Sequence, residues 1–161
     1  MRSSTNMFRN ELVFLDSSMI LRYLSGDELA KQIILDRSIA FAINDVVVNE
    51  IAFGAIRRAF EKAFGRYLFF ELKELVRKRD PKILIGYELV EKFLTCLEME
   101  QRFVYLPITK EMASESLSIA RNHGLLPNDA LIVATCRFYG ITTIATFDED
   151  FKRIPWLRVV P

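Results

Sequence analysis

Short apolar runs alternate with stretches of helical periodicity along the whole chain, and no other feature of the sequence constrains the fold as much. Leu12-Val13-Phe14-Leu15, Ile39 to Ile43, Phe103 to Leu106, Ile141 to Thr146 and Arg158-Val159-Val160 have the length and composition of strands. Between them the helix signals are explicit. Ser17-Ser18 precede a short helix that Gly26 ends, and Asp27 to Asp36 places Leu29, Ile33 and Ile34 on one face. Asn44 or Asp45 opens the next helix. The pattern stays helical from Val46 to about Arg79 with a break near Gly65, Pro81 stops it, and another helix runs from Lys82 to about Glu100. Thr109 caps a helix through Asn122, and Pro127 begins one that ends at Gly140.

Strands alternating with helices predict an α/β fold with a parallel sheet covered by helices on both faces. The helical portion between the second and third strands, Asp45 to Glu100, is longer than one crossover needs, and is expected to form a protruding hairpin or a dimer surface. Within it Phe64, Tyr67, Leu68, Glu71, Leu72 and Leu75 follow helical spacing, as do Leu89, Phe93, Leu94 and Leu97; core packing and a seam for a partner both fit.

The 161 residues suit one domain spanning 1–161, in which the polar segment Met1 to Asn10 is expected to be flexible. That segment lacks the apolar centre of a secretory signal, and no apolar stretch approaches the ~20 residues of a membrane helix, so the expectation is a cytoplasmic protein without membrane attachment. Cys96 and Cys136 lie in helical patterns with apolar neighbours and read as buried free thiols. His123, the one histidine, precedes Gly124 at the end of a helix, where a cap position explains it without catalysis. Histidine- or cysteine-centred mechanisms therefore have little to build on, and carboxylates are the main candidates.

Two strands stop on acids. Asp16 follows Leu12 to Leu15 and Asp148 follows shortly after Ile141 to Thr146, and the carboxyl edge of an open α/β sheet is where ligands bind. Glu50 lies early in a strongly apolar helix, and Asp129 lies in the first turn of Pro127-Asn128-Asp129-Ala130. Each acid also has a local explanation, as an N-cap, a solvated face, a dipole partner or a turn residue, and Asp150 shares the turn with Asp148. Together they would repel one another unless a cation sat among them, and an all-oxygen donor set suits Mg²⁺ or Mn²⁺ rather than zinc. Glu50 shares a polar stripe with Gly54, Arg57 and Arg58; the stripe is either solvent exposure or a pair of phosphate-binding guanidiniums near a metal. Net charge is +1, so pooled acids would leave the remaining surface more basic, as a protein handling a polyanion would want. The reaction class that fits is phosphodiester hydrolysis.

Four pieces of the chain resemble the PIN-domain family: Val13-Phe14-Leu15-Asp16-Ser17-Ser18-Met19-Ile20, Val46-Val47-Val48-Asn49-Glu50-Ile51, Leu125 to Ala134, and Ile144-Ala145-Thr146-Phe147-Asp148-Glu149-Asp150-Phe151. They come in family order and span nearly the whole chain. The resemblance implies a three-layer sandwich with a five-stranded parallel sheet and a Mg²⁺ or Mn²⁺ site of Asp16, Glu50, Asp129 and Asp148, with Asp150 as an outer or alternative ligand. It also implies that Ser17 or Thr146 orients a carboxylate or water.

Small members of the family resemble VapC toxins, ribonucleases that act on RNA, are usually homodimers and are neutralised by an antitoxin. That implies an endoribonuclease of toxin–antitoxin type. An RNA-processing nuclease without a toxin role and a catalytically silent RNA- or protein-binding module are the alternatives. A phosphatase of the haloacid dehalogenase type would want a second acid two residues after Asp16, where Ser18 stands.

Overall fold

In the computed structural model, which describes residues 11–161, five strands lie parallel in one sheet. They are β1 (Leu12–Leu15), β2 (Ala40–Ile43), β3 (Phe103–Tyr105), β4 (Thr143–Ala145) and β5 (Arg158–Val160), in the spatial order β3-β2-β1-β4-β5. The chain moves outward from β1 to β2 and β3 on one side, then returns to lay β4 and β5 on the other. The carboxyl ends of β1 and β4 therefore flank the point where strand order reverses, the place such sheets open a crevice. Phe14 pairs with Ile144 and Leu15 with Ala145, so Asp16 and Thr146 leave the sheet side by side.

The helices are α1 (Ser17–Leu24), α2 (Glu28–Leu35), α3 (Asp45–Phe64), α4 (Phe69–Arg77), α5 (Pro81–Met99), α6 (Lys110–His123) and α7 (Pro127–Tyr139), with a 3-10 turn at Glu149–Arg153. Their boundaries follow from local chemistry. Asp16, Asp27, Asn44, Asp80 and Thr109 each accept a backbone N–H of the turn they open. Gly65, Gly124 and Gly140 close α3, α6 and α7 in the left-handed region. Pro81 is the first residue of α5, where its missing N–H costs nothing; it opens a helix rather than ending one.

One core of buried side chains joins Phe14, Phe41 and Ile144 of the sheet to Met19, Val47 and Phe93 of α1, α3 and α5, and to Met112 and Val133 of α6 and α7. The long helical portion adds a small core of its own, in which Ile56, Phe60, Leu72 and Ile83 are buried under Tyr67, Leu75 and Val76. The hairpin is built on close contact between α3 and α5. A Cβ at Gly86 would lie 2.7 Å from the Ile56 backbone nitrogen and 2.8 Å from the Ala55 carbonyl carbon. The expected stripe divides: Leu72, Phe93 and Leu97 are buried, whereas Phe64, Leu68 and Leu89 are exposed.

Two expectations are corrected. Cys96 is exposed; it shares α5 with the buried Phe93 and Leu97 but lies on the flank of their stripe, while Cys136 is buried as expected. Leu29 is exposed too, because α2 turns Ala30 and Ile34 inward. The segment Met1 to Asn10 lies outside the described residues. No helix among the described residues is long and apolar enough to cross a membrane.

Candidate metal centre

Asp16 is the most constrained of the acids, only 3% exposed at the end of β1. Its backbone N–H donates to the Ala145 carbonyl at 3.1 Å, completing the β1–β4 ladder. Oδ2 accepts Ser18 Oγ at 2.6 Å and Thr146 Oγ1 at 2.7 Å, with the Ser18 N–H at 3.3 Å. A hydroxyl has one proton to give, and both are spent on this oxygen. The hydroxyls in turn accept: Ser18 Oγ takes the Phe147 N–H at 3.0 Å and Thr146 Oγ1 takes the Asp148 N–H at 2.9 Å. The loop after β4 is thus tied to Asp16 through two relays. Oδ1 of Asp16 accepts no hydrogen bond from the described residues.

Glu50, from the second turn of α3, accepts Ser17 Oγ on Oε2 at 2.7 Å and Asn128 Nδ2 on Oε1 at 2.8 Å. Asp148 caps the 3-10 turn through the Asp150 N–H at 2.9 Å. Asp129 stands in the first turn of α7, half-buried. Its pKa is pushed up to about 6, first by burial and then by the negative charges of Asp148, Glu50, Asp16 and Asp150, in that order. Asp16, Glu50 and Asp148 therefore lie near enough for their charges to act on Asp129. Asp150 contributes least to that shift, and its Oδ1 accepts Arg153 Nε at 3.0 Å, which draws it outward.

Among the described residues no three acids are already gathered as a ligand group. The two observations concern different ranges: Coulombic repulsion acts across the crevice, whereas ligation needs oxygens within about 2.0–2.6 Å of one ion. Mutual repulsion keeps uncompensated carboxylates apart, and the donor set fits a hard divalent cation. It is all oxygen, it carries excess negative charge, and the described residues that donate to Asp16 do so on Oδ2 alone.

Arg57 and Arg58 turn away from the acids. Arg57 pairs with Glu61 at 2.8 Å and lies over the Tyr67 ring at 4.5 Å, and Arg58 donates to the Leu21 carbonyl and Ser25 Oγ at the end of α1. Arg22, one turn beyond Ser18, stacks its guanidinium on Phe147 at 3.9 Å, next to Asp148 in sequence, and pairs with Asp27 at 3.7 Å. Sequence reading missed Arg22 and the ties made by Ser18 and Asn128. The one available signal was spacing: Ser18 and Arg22, four residues apart, share one face of α1. A groove of about 500 Å³ lies apart from the acids, among Leu21, Leu24, Ala55, Arg58 and Ile85.

Residues 13–157 match the PIN domain, and the chain belongs to the PIN-domain family. It is 33% identical over 151 residues to Ribonuclease VapC2 of Methanocaldococcus jannaschii, covering 92% of each chain. To Ribonuclease VapC6 of the same organism it is 27% identical over 162 residues, covering 92% of this chain and 95% of that one. A toxin–antitoxin complex from Klebsiella pneumoniae contains a chain of the same fold, with a TM-score of 0.62 at 19% identity, over 92% of this chain and 96% of the other.

Proposed function

We propose that the protein is a Mg²⁺- or Mn²⁺-dependent endoribonuclease that hydrolyses RNA phosphodiester bonds, and that it is the toxin of a toxin–antitoxin pair, working in the cytoplasm. The observation that most supports the reading is the rise of the Asp129 pKa to about 6, to which burial and the charges of Asp148, Glu50, Asp16 and Asp150 contribute. The 33% identity to a ribonuclease over nearly the whole chain supports RNA as the substrate class. The likeness to a chain from a toxin–antitoxin complex supports an antitoxin partner, and the family resemblance a homodimer.

In this reading Asp16, Glu50, Asp129 and Asp148 hold the ion. When bound, a divalent ion supplies a water of lowered pKa and neutralises charge on the phosphodiester under attack. Ser18 and Thr146 fix the buried Asp16 carboxylate by its Oδ2 so that Oδ1 stays available. Arg22, stacked on Phe147 in the loop that carries Asp148 and paired with Asp27, would take a backbone phosphate in this reading. Asp150 stays outside the ligand set, neutralised by Arg153.

Cleavage of a panel of labelled structured RNAs by purified protein in Mn²⁺, Mg²⁺ or EDTA tests the reading, with Asp129→Asn prepared alongside. Cutting that needs the metal and disappears in the variant is the expected result. Cleavage that persists in EDTA, or undiminished cleavage by Asp129→Asn, would contradict it. The toxin assignment is tested by growth arrest on induction of the wild type but not of Asp129→Asn.

A further inference from the structure

Glu50 is held differently from the other acids. Ser17 Oγ, on the first residue of α1, donates to Oε2, and Asn128 Nδ2, on the second residue of α7, donates to Oε1. Three helices thus meet in one carboxylate, with a donor on each oxygen. The orientation of the amide follows from chemistry: an ionised carboxylate only accepts, so the NH₂ side of Asn128 must face it. Each carboxylate oxygen has about two lone-pair sites, so one donor apiece leaves room for a cation.

The fold does not require this contact. Asn128 is exposed, α7 already begins with Pro127, and Glu50 is the one side-chain partner Asn128 has among the described residues. The next residue in the same turn is Asp129. A glutamate with three free torsions would swing away from a neighbouring carboxylate, and one clamped from α7 keeps its place relative to it. We propose that Asn128 is a positioning residue: by donating to Glu50 it fixes that carboxylate relative to Asp129, and so sets the affinity of the centre for its divalent ion. The inference rests on the metal-dependent reading above.

Calorimetric titration of Mn²⁺ into wild type, Asn128→Ala and Asn128→Gln tests it, with thermal unfolding of each in EDTA. The expected result is about 10- to 100-fold weaker Mn²⁺ binding in Asn128→Ala, the usual loss when a partner of a metal-ligating side chain is removed. Asn128→Gln, which keeps the amide at an exposed site, stays near wild type, and metal-free unfolding temperatures are alike in all three. Mn²⁺ affinity in Asn128→Ala equal to wild type would overturn the positioning role, as would an equal loss in both variants. Wild type that takes up no Mn²⁺ would instead remove the metal-dependent reading, and this inference with it.

Discussion

Asp129 carries the electrostatic signature of the site in its own titration. With its folded pKa raised from 3.8 to about 6, its ionisation opposes folding: the metal-free protein is most stable below pH 3.8 as far as this group is concerned, and loses that contribution as pH rises through about 6. Asp129→Asn should therefore stabilise the metal-free protein at pH 7 by about 1 kcal/mol, a figure reduced for solvent screening of a half-exposed group. The gain should shrink toward zero near pH 4, and urea unfolding at the two pH values measures both. Arg22→Ala should raise the KM for RNA several-fold while kcat changes little, since in the proposed reading this guanidinium, stacked on Phe147, binds phosphate and holds no ion. Cys136 offers no competing chemistry; burial first, then the Asp16 charge, holds its thiol well above the usual range.

At the scale of elements, two joints position the site. The first is the β1–β4 edge, where Thr146 Oγ1 gives its proton to buried Asp16 and accepts the Asp148 N–H. Thr146→Val keeps the shape and removes both, and should cost about 1–3 kcal/mol, read in thermal unfolding. The second is the α3–α5 contact at Gly86. Gly86→Ala sets a methyl against backbone that no rotamer change can clear, and a loss of about 1–3 kcal/mol or more is expected by the same measurement. The elements themselves were legible in the sequence because strand length, cap residues and apolar periodicity are local: Asn44, Thr109, Pro127 and Gly124 all mark real boundaries. Asp16, Asp129 and Asp148 stand where the sequence put them, at the start of α1, in the first turn of α7 and at the start of the 3-10 turn, because such ends are locally encoded. The partners were not legible. Glu50 and Asn128 are 78 positions apart, and Arg58 reaches back to α1, choices that depend on how helices cross rather than on any local pattern. Cys96 was misjudged for a related reason, since apolar neighbours in sequence do not fix which side of a helix a residue takes.

For the whole molecule, the proposed metal centre at the reversal of strand order would link metal binding and folding thermodynamically. An ion that binds only the folded chain stabilises it by about 2.7 kcal/mol at a hundred times its Kd, so saturating Mn²⁺ should raise the Tm by roughly 5–10 °C for a chain of this size. Removing the ion with EDTA should reverse the shift, and Asp129→Asn should show little of it. Hydrogen bonds also offset the repulsion among neighbouring carboxylates: Asp16 is stabilised by hydroxyl donors and Glu50 by Ser17 and Asn128. The most direct measurement is a crystal grown with saturating Mn²⁺ and examined by anomalous scattering. The account predicts a peak bounded by Asp16, Glu50, Asp129 and Asp148, with carboxylate oxygens at roughly 2.0–2.3 Å. A crevice without Mn²⁺, or a peak held by other residues, would contradict it.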